Sequence, residues 1–175
     1  MKTIKTFLLF IAVTATISLT SCSSDDDSSG GGSQAGEGEL VARVNGSSFQ
    51  SISQGTVARL TATGGTEFLQ ITAVNLNGEA MTLQLTRPTI EETSYDIDDA
   101  NNISAVATYT IVDTSTFQST SYVAPYMNSG DVGTITITEL TATNVKGTFN
   151  FTAINQDDDT ETLPVTDGSF NLSLQ

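Results

Sequence analysis

Carboxylates are the only abundant reactive groups in this chain of 175 residues, which holds 20 Asp and Glu, one Cys and no His. Without imidazole, the Ser-His-Asp triad, the Cys-His pair, the 2-His-1-carboxylate iron site and the usual zinc sites each lack an essential part. A hydrolase built from what remains would use two carboxylates, as glycosidases do. Glu67, Glu79, Glu91, Glu92 and Glu139 are the candidates, but their spacing singles out no pair. The absence of Trp also removes the large aromatic face on which sugar rings commonly stack. No residue is assigned a catalytic role. Calcium chemistry has two candidate loops: Asp96, Asp98 and Asp99 in one, and Asp157, Asp158 and Asp159 with Glu161 in the other. Against the calcium-loop template, Asp96 and Asp98 fill positions one and three. Ala100 takes position five, however, Asn101 stands where Gly is needed, and Ala107 stands where a bidentate Glu is needed. The helix-flanked calcium loop is thereby rejected, and no metal or other cofactor is assigned. An irregular calcium site between sheet loops stays open beside the plainer reading of solvated turn residues.

Aromatic residues mark a further region. All four Tyr (Tyr95, Tyr109, Tyr122 and Tyr126) and Phe117 fall between positions 95 and 126, and Asp113 to Gly133 shows few regular strand signals. Read as a long loop, that stretch is a binding loop or mobile lid, with Tyr122 and Tyr126 at the rim of a ligand site. The alternative is that these rings pack across neighbouring strands into the core.

The amino terminus carries an address. Lys2 and Lys5 precede an apolar run from Phe7 to Ile17, the pattern of a secretory signal, and the run is too short for a spanning helix of about 20 residues. Leu19-Thr20-Ser21-Cys22 resembles the lipobox of bacterial lipoproteins, which implies cleavage after residue 21 and a diacylglycerol on the Cys22 thiol. Ser23, Ser24, Asp25, Asp26 and Asp27 follow, and this run resembles the surface-export signal of Bacteroidota lipoproteins. From Ser28 to Gly38 the text is Gly- and Ser-rich and reads as a flexible tether, spanning with residues 23–27 about 20 to 24 Å root mean square. The organisation expected is a signal peptide over 1–21, a lipidated Cys and linker over 22–38, and one domain over 39–175.

Charge bounds the partners. Six Lys and Arg stand against 20 acids for a formal net charge of -14, and a surface of that sign repels phosphate backbones, which excludes nucleic acid. A single Cys allows no internal disulfide.

Past Gly38 the apolar residues recur with period two, and Thr, Val, Ile and Phe dominate, the types that suit a half-buried pleated sheet. Phe149, Phe151 and Ala153 alternate with Asn150, Thr152 and Ile154, as Met81, Leu83 and Leu85 do with Thr82, Gln84 and Thr86. Turn signals at Asn45-Gly46, Gly64-Gly65, Asn77-Gly78, Asn101-Asn102, Gly130 to Gly133, Lys146-Gly147, Asp157 to Asp159 and Asp167-Gly168 divide this text into about nine or ten strands. The fold class expected is all-β, a single antiparallel sandwich or barrel-like domain. Pro88 should end a strand, and Pro164, lacking a ladder donor, belongs at an edge or a strand start. A two-residue loop at Asn77-Gly78 would put Leu69, Ile71 and Ala73 on the opposite face from Met81, Leu83 and Leu85. An odd loop, Leu76-Asn77-Gly78 with Gly78 left-handed, pairs Ala73 with Met81, Ile71 with Leu83 and Leu69 with Leu85, and is preferred.

The opening Ala42-Arg43-Val44-Asn45-Gly46 with Phe49, the segment from Lys146 to Ala153 and the end from Val165 to Asn171 together resemble a family of uncharacterised Bacteroidota cell-envelope lipoproteins, a domain of unknown function. That resemblance implies an all-β lipoprotein and brings no catalytic residues. The function expected is a lipid-anchored protein of the outer membrane, facing the cell exterior. It would act as a binding or structural module toward an envelope protein or glycan. A small carboxylate-dependent glycan hydrolase and a calcium-stabilised adhesive domain are the alternatives.

Overall fold

The computed structural model describes residues 34–100 and 104–175. Cys22 and the run Ser23, Ser24, Asp25, Asp26 and Asp27 lie outside the described residues, as do Asn101 and Asn102. Eleven strands form among the described residues: β1 (Glu39–Val44), β2 (Ser47–Gln50), β3 (Val57–Thr63), β4 (Thr66–Val74), β5 (Glu79–Arg87), β6 (Ser94–Asp98), β7 (Ala105–Asp113), β8 (Gln118–Ala124), β9 (Asp131–Leu140), β10 (Asn144–Asn155) and β11 (Thr162–Ser173), with one 3-10 turn at Ser53–Gly55. All ladders between them are antiparallel, in the order β2-β1-β11-β10-β8-β7-β5-β4-β3, with β9 on β10 and β6 on β9.

The fork at β10 shapes the molecule. One edge of this 12-residue strand pairs with β11, while the other pairs first with β9, from Val145 to Phe151, and then with β8 at Ile154 and Asn155. The β8-to-β3 arm curls back, so that Ala58 on β3 bridges Leu174 and its carbonyl accepts the Gln175 N–H at 3.0 Å. The result is one antiparallel sheet rolled into a half-barrel, which is the all-β class expected, with a strand or two more than the turn spacing suggested.

Alternation explains the core. Leu69, Ile71 and Ala73 on β4 stand in register with Leu85, Leu83 and Met81 on β5, and all six are buried. The odd loop is the one that forms, with Gly78 at φ 80°. Phe149 and Phe151 share the inner face of β10 with ring centroids 6.2 Å apart, and Phe149 stacks on Phe170 at 6.3 Å. Pro88 follows the last residue of β5. Pro164 is third in β11, and its carbonyl accepts the Asn45 N–H at 2.8 Å where β1 has just ended, so its missing donor faces a turn and costs the ladder nothing.

Three local expectations are corrected. Asp113 to Gly133 is not a long loop, because it contains β8 and the start of β9; Tyr122 and Ala124 point inward, but the Ser119-Thr120-Ser121 that precedes them conceals the pattern. Lys146-Gly147 is not a turn and lies within β10, while the chain reverses earlier, at Thr141 to Thr143, where Thr141 Oγ1 accepts the Asn144 N–H at 3.0 Å. Asp167-Gly168 is likewise a bulge inside β11. Asp167 holds φ 52°, and a Cβ on Gly168 would stand 2.5 Å from the Phe149 ring, so Gly there makes room for an aromatic neighbour.

Candidate functional site

One end of the half-barrel carries four connections: the β1–β2 turn at Asn45-Gly46, the β4–β5 loop, the β7–β8 loop and the β10–β11 loop. Beneath them lies a cavity of about 280 Å³. Two constructions of the same kind wall it. In the first, Asn75 closes the β4–β5 loop by accepting the N–H groups of Asn77 and Glu79 on Oδ1, at 2.9 and 3.1 Å, and its Nδ2 donates to Glu79 Oε2. The Tyr109 hydroxyl on β7 lies beside Glu79. In the second, Asn155 accepts the Asp157 N–H on Oδ1 at 3.0 Å as the β10–β11 loop begins, and its Nδ2 donates to Glu161 Oε2 at 2.6 Å. Tyr122 on β8 donates its hydroxyl to Glu161 Oε1 at 2.9 Å.

The register makes this possible. Tyr109 and Tyr122 are cross-strand partners with ring centroids 6.4 Å apart, and Phe49 from β2 meets Tyr109 edge-on at 6.3 Å. Both tyrosine side chains are buried, and their hydroxyls reach outward to the two carboxylates at the cavity wall. Burial, reinforced by the neighbouring Glu79, pushes the Tyr109 pKa well above the ordinary tyrosine value. Burial and then the Glu161 bond raise Tyr122 as well, so both hydroxyls stay protonated donors. Glu161 thus receives one phenol and one amide, and Glu79 one amide with a phenol beside it. Apolar wall comes from Phe49, Ile111 and Leu163, and the remaining polar lining, such as Ser47, Ser48 and Thr162, is neutral. At this volume the cavity lies at the small end of the range for ligand pockets, about 300 Å³ upward, and holds one compact group.

The expected site residues distribute unevenly. Tyr122 lines the cavity, as a buried wall with its hydroxyl turned to Glu161, while Tyr126 stands half-buried in the β8–β9 connection, where its carbonyl accepts the Ser129 N–H at 2.9 Å. Among the glutamates considered for hydrolysis, Glu79 alone lines the cavity. Glu67 accepts the Ile90 N–H at 2.7 Å, Glu92 the Leu140 N–H at 3.0 Å, Glu139 pairs with Lys146 at 2.9 Å, and Glu91 is exposed.

In the first acidic loop, Asp96 is exposed on β6, Asp98 accepts the Ala100 N–H at 2.9 Å, and Asp99 binds the Asn128 and Gly130 amides at 2.6 and 2.9 Å. In the second, Asp158 accepts the N–H and hydroxyl of Thr160, which hold its pKa below the usual carboxylate value; Asp157 and Asp159 are exposed. Among the described residues no group of three or more His, Cys, Asp or Glu is placed to hold a metal ion. Tyr109 and the pairing of Glu161 with a tyrosine were not foreseen; the repeated Asn-loop-Glu text at Asn75 to Glu79 and Asn155 to Glu161 was the available signal.

Fold and site define a class: an all-β half-barrel with a small, carboxylate- and tyrosine-walled cavity under the loops at one end. The chain belongs to the family described as Domain of unknown function (DUF6252), which it matches over residues 38–172. No curated protein and no solved structure matches it.

Proposed function

We propose that the protein is a lipid-anchored binding module of the bacterial cell envelope, tethered through Cys22 to the outer membrane and displayed outward, with the cavity at the loop end of the half-barrel as its binding site. The observation that carries the binding reading is the cavity itself, where two glutamates are each held by an amide with a phenol alongside and are left accessible to a ligand. Strand ends could be stitched together by neutral pairs alone, so two fixed carboxylates at a cavity wall favour recognition. The anchor rests on the lipobox-like Leu19-Thr20-Ser21-Cys22 and the export rests on Asp25, Asp26 and Asp27, together with the likeness to Bacteroidota lipoproteins.

Two experiments test this reading. Cys22→Ser should release the protein from membranes and abolish lipid labelling, and a mutant that stays labelled in the membrane fraction overturns the anchor. Replacing the three Asp by Ala should keep lipidation and remove access to protease added to intact cells. For the cavity, a fragment library screened by NMR should shift the resonances of Tyr109, Tyr122 and Glu161. Hits that perturb other surfaces only would refute the assignment.

A further inference from the structure

Charge around the cavity is one-sided. Glu79 and Glu161 both line it, and no Lys or Arg does. Arg43 pairs with Asp167 at 3.8 Å and Lys146 with Glu139 at 2.9 Å, so two of the chain's few cations are engaged elsewhere. The donors that do reach the two carboxylates are neutral phenols and amides, which orient the charge without cancelling it. A molecule whose formal net charge is -14 also draws cations toward its clefts and repels anions. Below the carboxylates the wall is Phe49, Ile111 and Leu163, a lining suited to an alkyl stem with its charged head at the carboxylates.

The mouth of the cavity adds an independent feature. Leu76 is 85% exposed and Phe117 83% exposed, and Val112 is exposed as well. Leu76 and Phe117 stand on two adjoining loop tips: Val112, near the end of β7 on the face opposite Ile111, donates its N–H to the Gly78 carbonyl at 2.9 Å, and Glu79 is the register partner of Ile111. Single exposed apolar side chains are ordinary, but two on neighbouring tips beside a cavity form a patch of the kind that meets another protein. Phe117 also holds φ 56°, a region bulky residues avoid, and its ring contributes nothing to the core. A free amine would use the carboxylates and leave this patch wet.

We infer that the cavity takes the Lys or Arg side chain of a partner polypeptide whose flanking apolar residues lie across Leu76 and Phe117. This rests on the reading of the cavity as the binding site and specifies its occupant. Complementarity is twofold: cation to paired carboxylates inside, and apolar flank to apolar tips outside.

The test uses the full chain in detergent and three probes: a 12-residue peptide with one Lys between Leu residues, the same peptide with that Lys acetylated, and n-butylammonium. The Lys peptide should bind at least about tenfold tighter than either of the others, and its affinity should fall as ionic strength rises. Glu79→Gln with Glu161→Gln should abolish the preference for Lys over acetyl-Lys. Phe117→Gly, which relieves the left-handed backbone and should fold normally, should weaken the peptide and leave n-butylammonium unchanged. Melting curves of each variant establish that it is folded. Equal binding of the two peptides overturns the inference, and so does n-butylammonium binding as tightly as the Lys peptide. If neither peptide nor amine shifts Tyr109 and Tyr122 while neutral fragments of the NMR library do, the inference falls and the binding-site reading stands. If no compound reaches these residues, both fall together.

Discussion

At Tyr109 the ring is buried and the hydroxyl lies beside Glu79, so the folded state holds the phenol proton more tightly than the unfolded chain does. A raised folded pKa contributes stability that is fully present below the unfolded value, about 10, and is lost as pH rises through the folded one. Tyr122 acts in the same direction. The protein should therefore lose stability steadily above pH about 10, and Tyr109→Phe should flatten that decline. At pH 7 the same change removes a buried hydroxyl beside a carboxylate and should cost about 1 kcal/mol. Urea denaturation at pH 7 and at pH 11 measures both effects, and an unchanged alkaline slope would show that the Tyr109 hydroxyl is not held as described.

Among the elements, the β4–β5 hairpin sets the position of Glu79, and its loop depends on Gly78. That residue holds φ 80°, and a Cβ there would stand 2.8 Å from the Val112 carbonyl oxygen. Gly78→Ala should cost about 1 to 3 kcal/mol and should move the β7–β8 tip, which NMR shifts at Val112 and Thr114 will register. The long strand β10 gives a second prediction from its two faces. Phe149 and Phe151 are 3% and 2% exposed, so either change to Ala should cost about 3 to 5 kcal/mol in chemical denaturation. Thr152→Ala, on the outer face, should cost under about 1 kcal/mol, and comparable losses at the two faces would contradict the packing.

For the whole molecule, 20 acids against six bases means that folding gathers like charge. Added salt should raise the melting temperature by screening. Calcium and magnesium at matched ionic strength should give the same melting curve, since no group of three carboxylates converges among the described residues. A specific site filled at 100 times its dissociation constant would add about 2.7 kcal/mol. A calcium-specific rise lost on Asp98→Asn would revive the adhesive-domain alternative.

Period-two alternation, read residue by residue, was enough to assign most of the strands, their inner faces and even the odd loop at Leu76 to Gly78, though not β8, because a strand's side-chain direction is a local property and one buried face leaves a single permitted register. Inward-facing residues such as Phe149 and Phe151 were legible for the same reason. Gly147 and Gly168 were not, because whether a glycine turns the chain or admits a neighbour's ring depends on what stands opposite, here Phe170 and Phe149. The cavity was hidden most completely. Glu79 with Tyr109 and Glu161 with Tyr122 meet across strands that lie far apart in the chain. Only the fork at β10 and the curl of the sheet bring them to one end of the half-barrel. Strand order is decided by the packing of the whole core, and no local stretch of sequence encodes it.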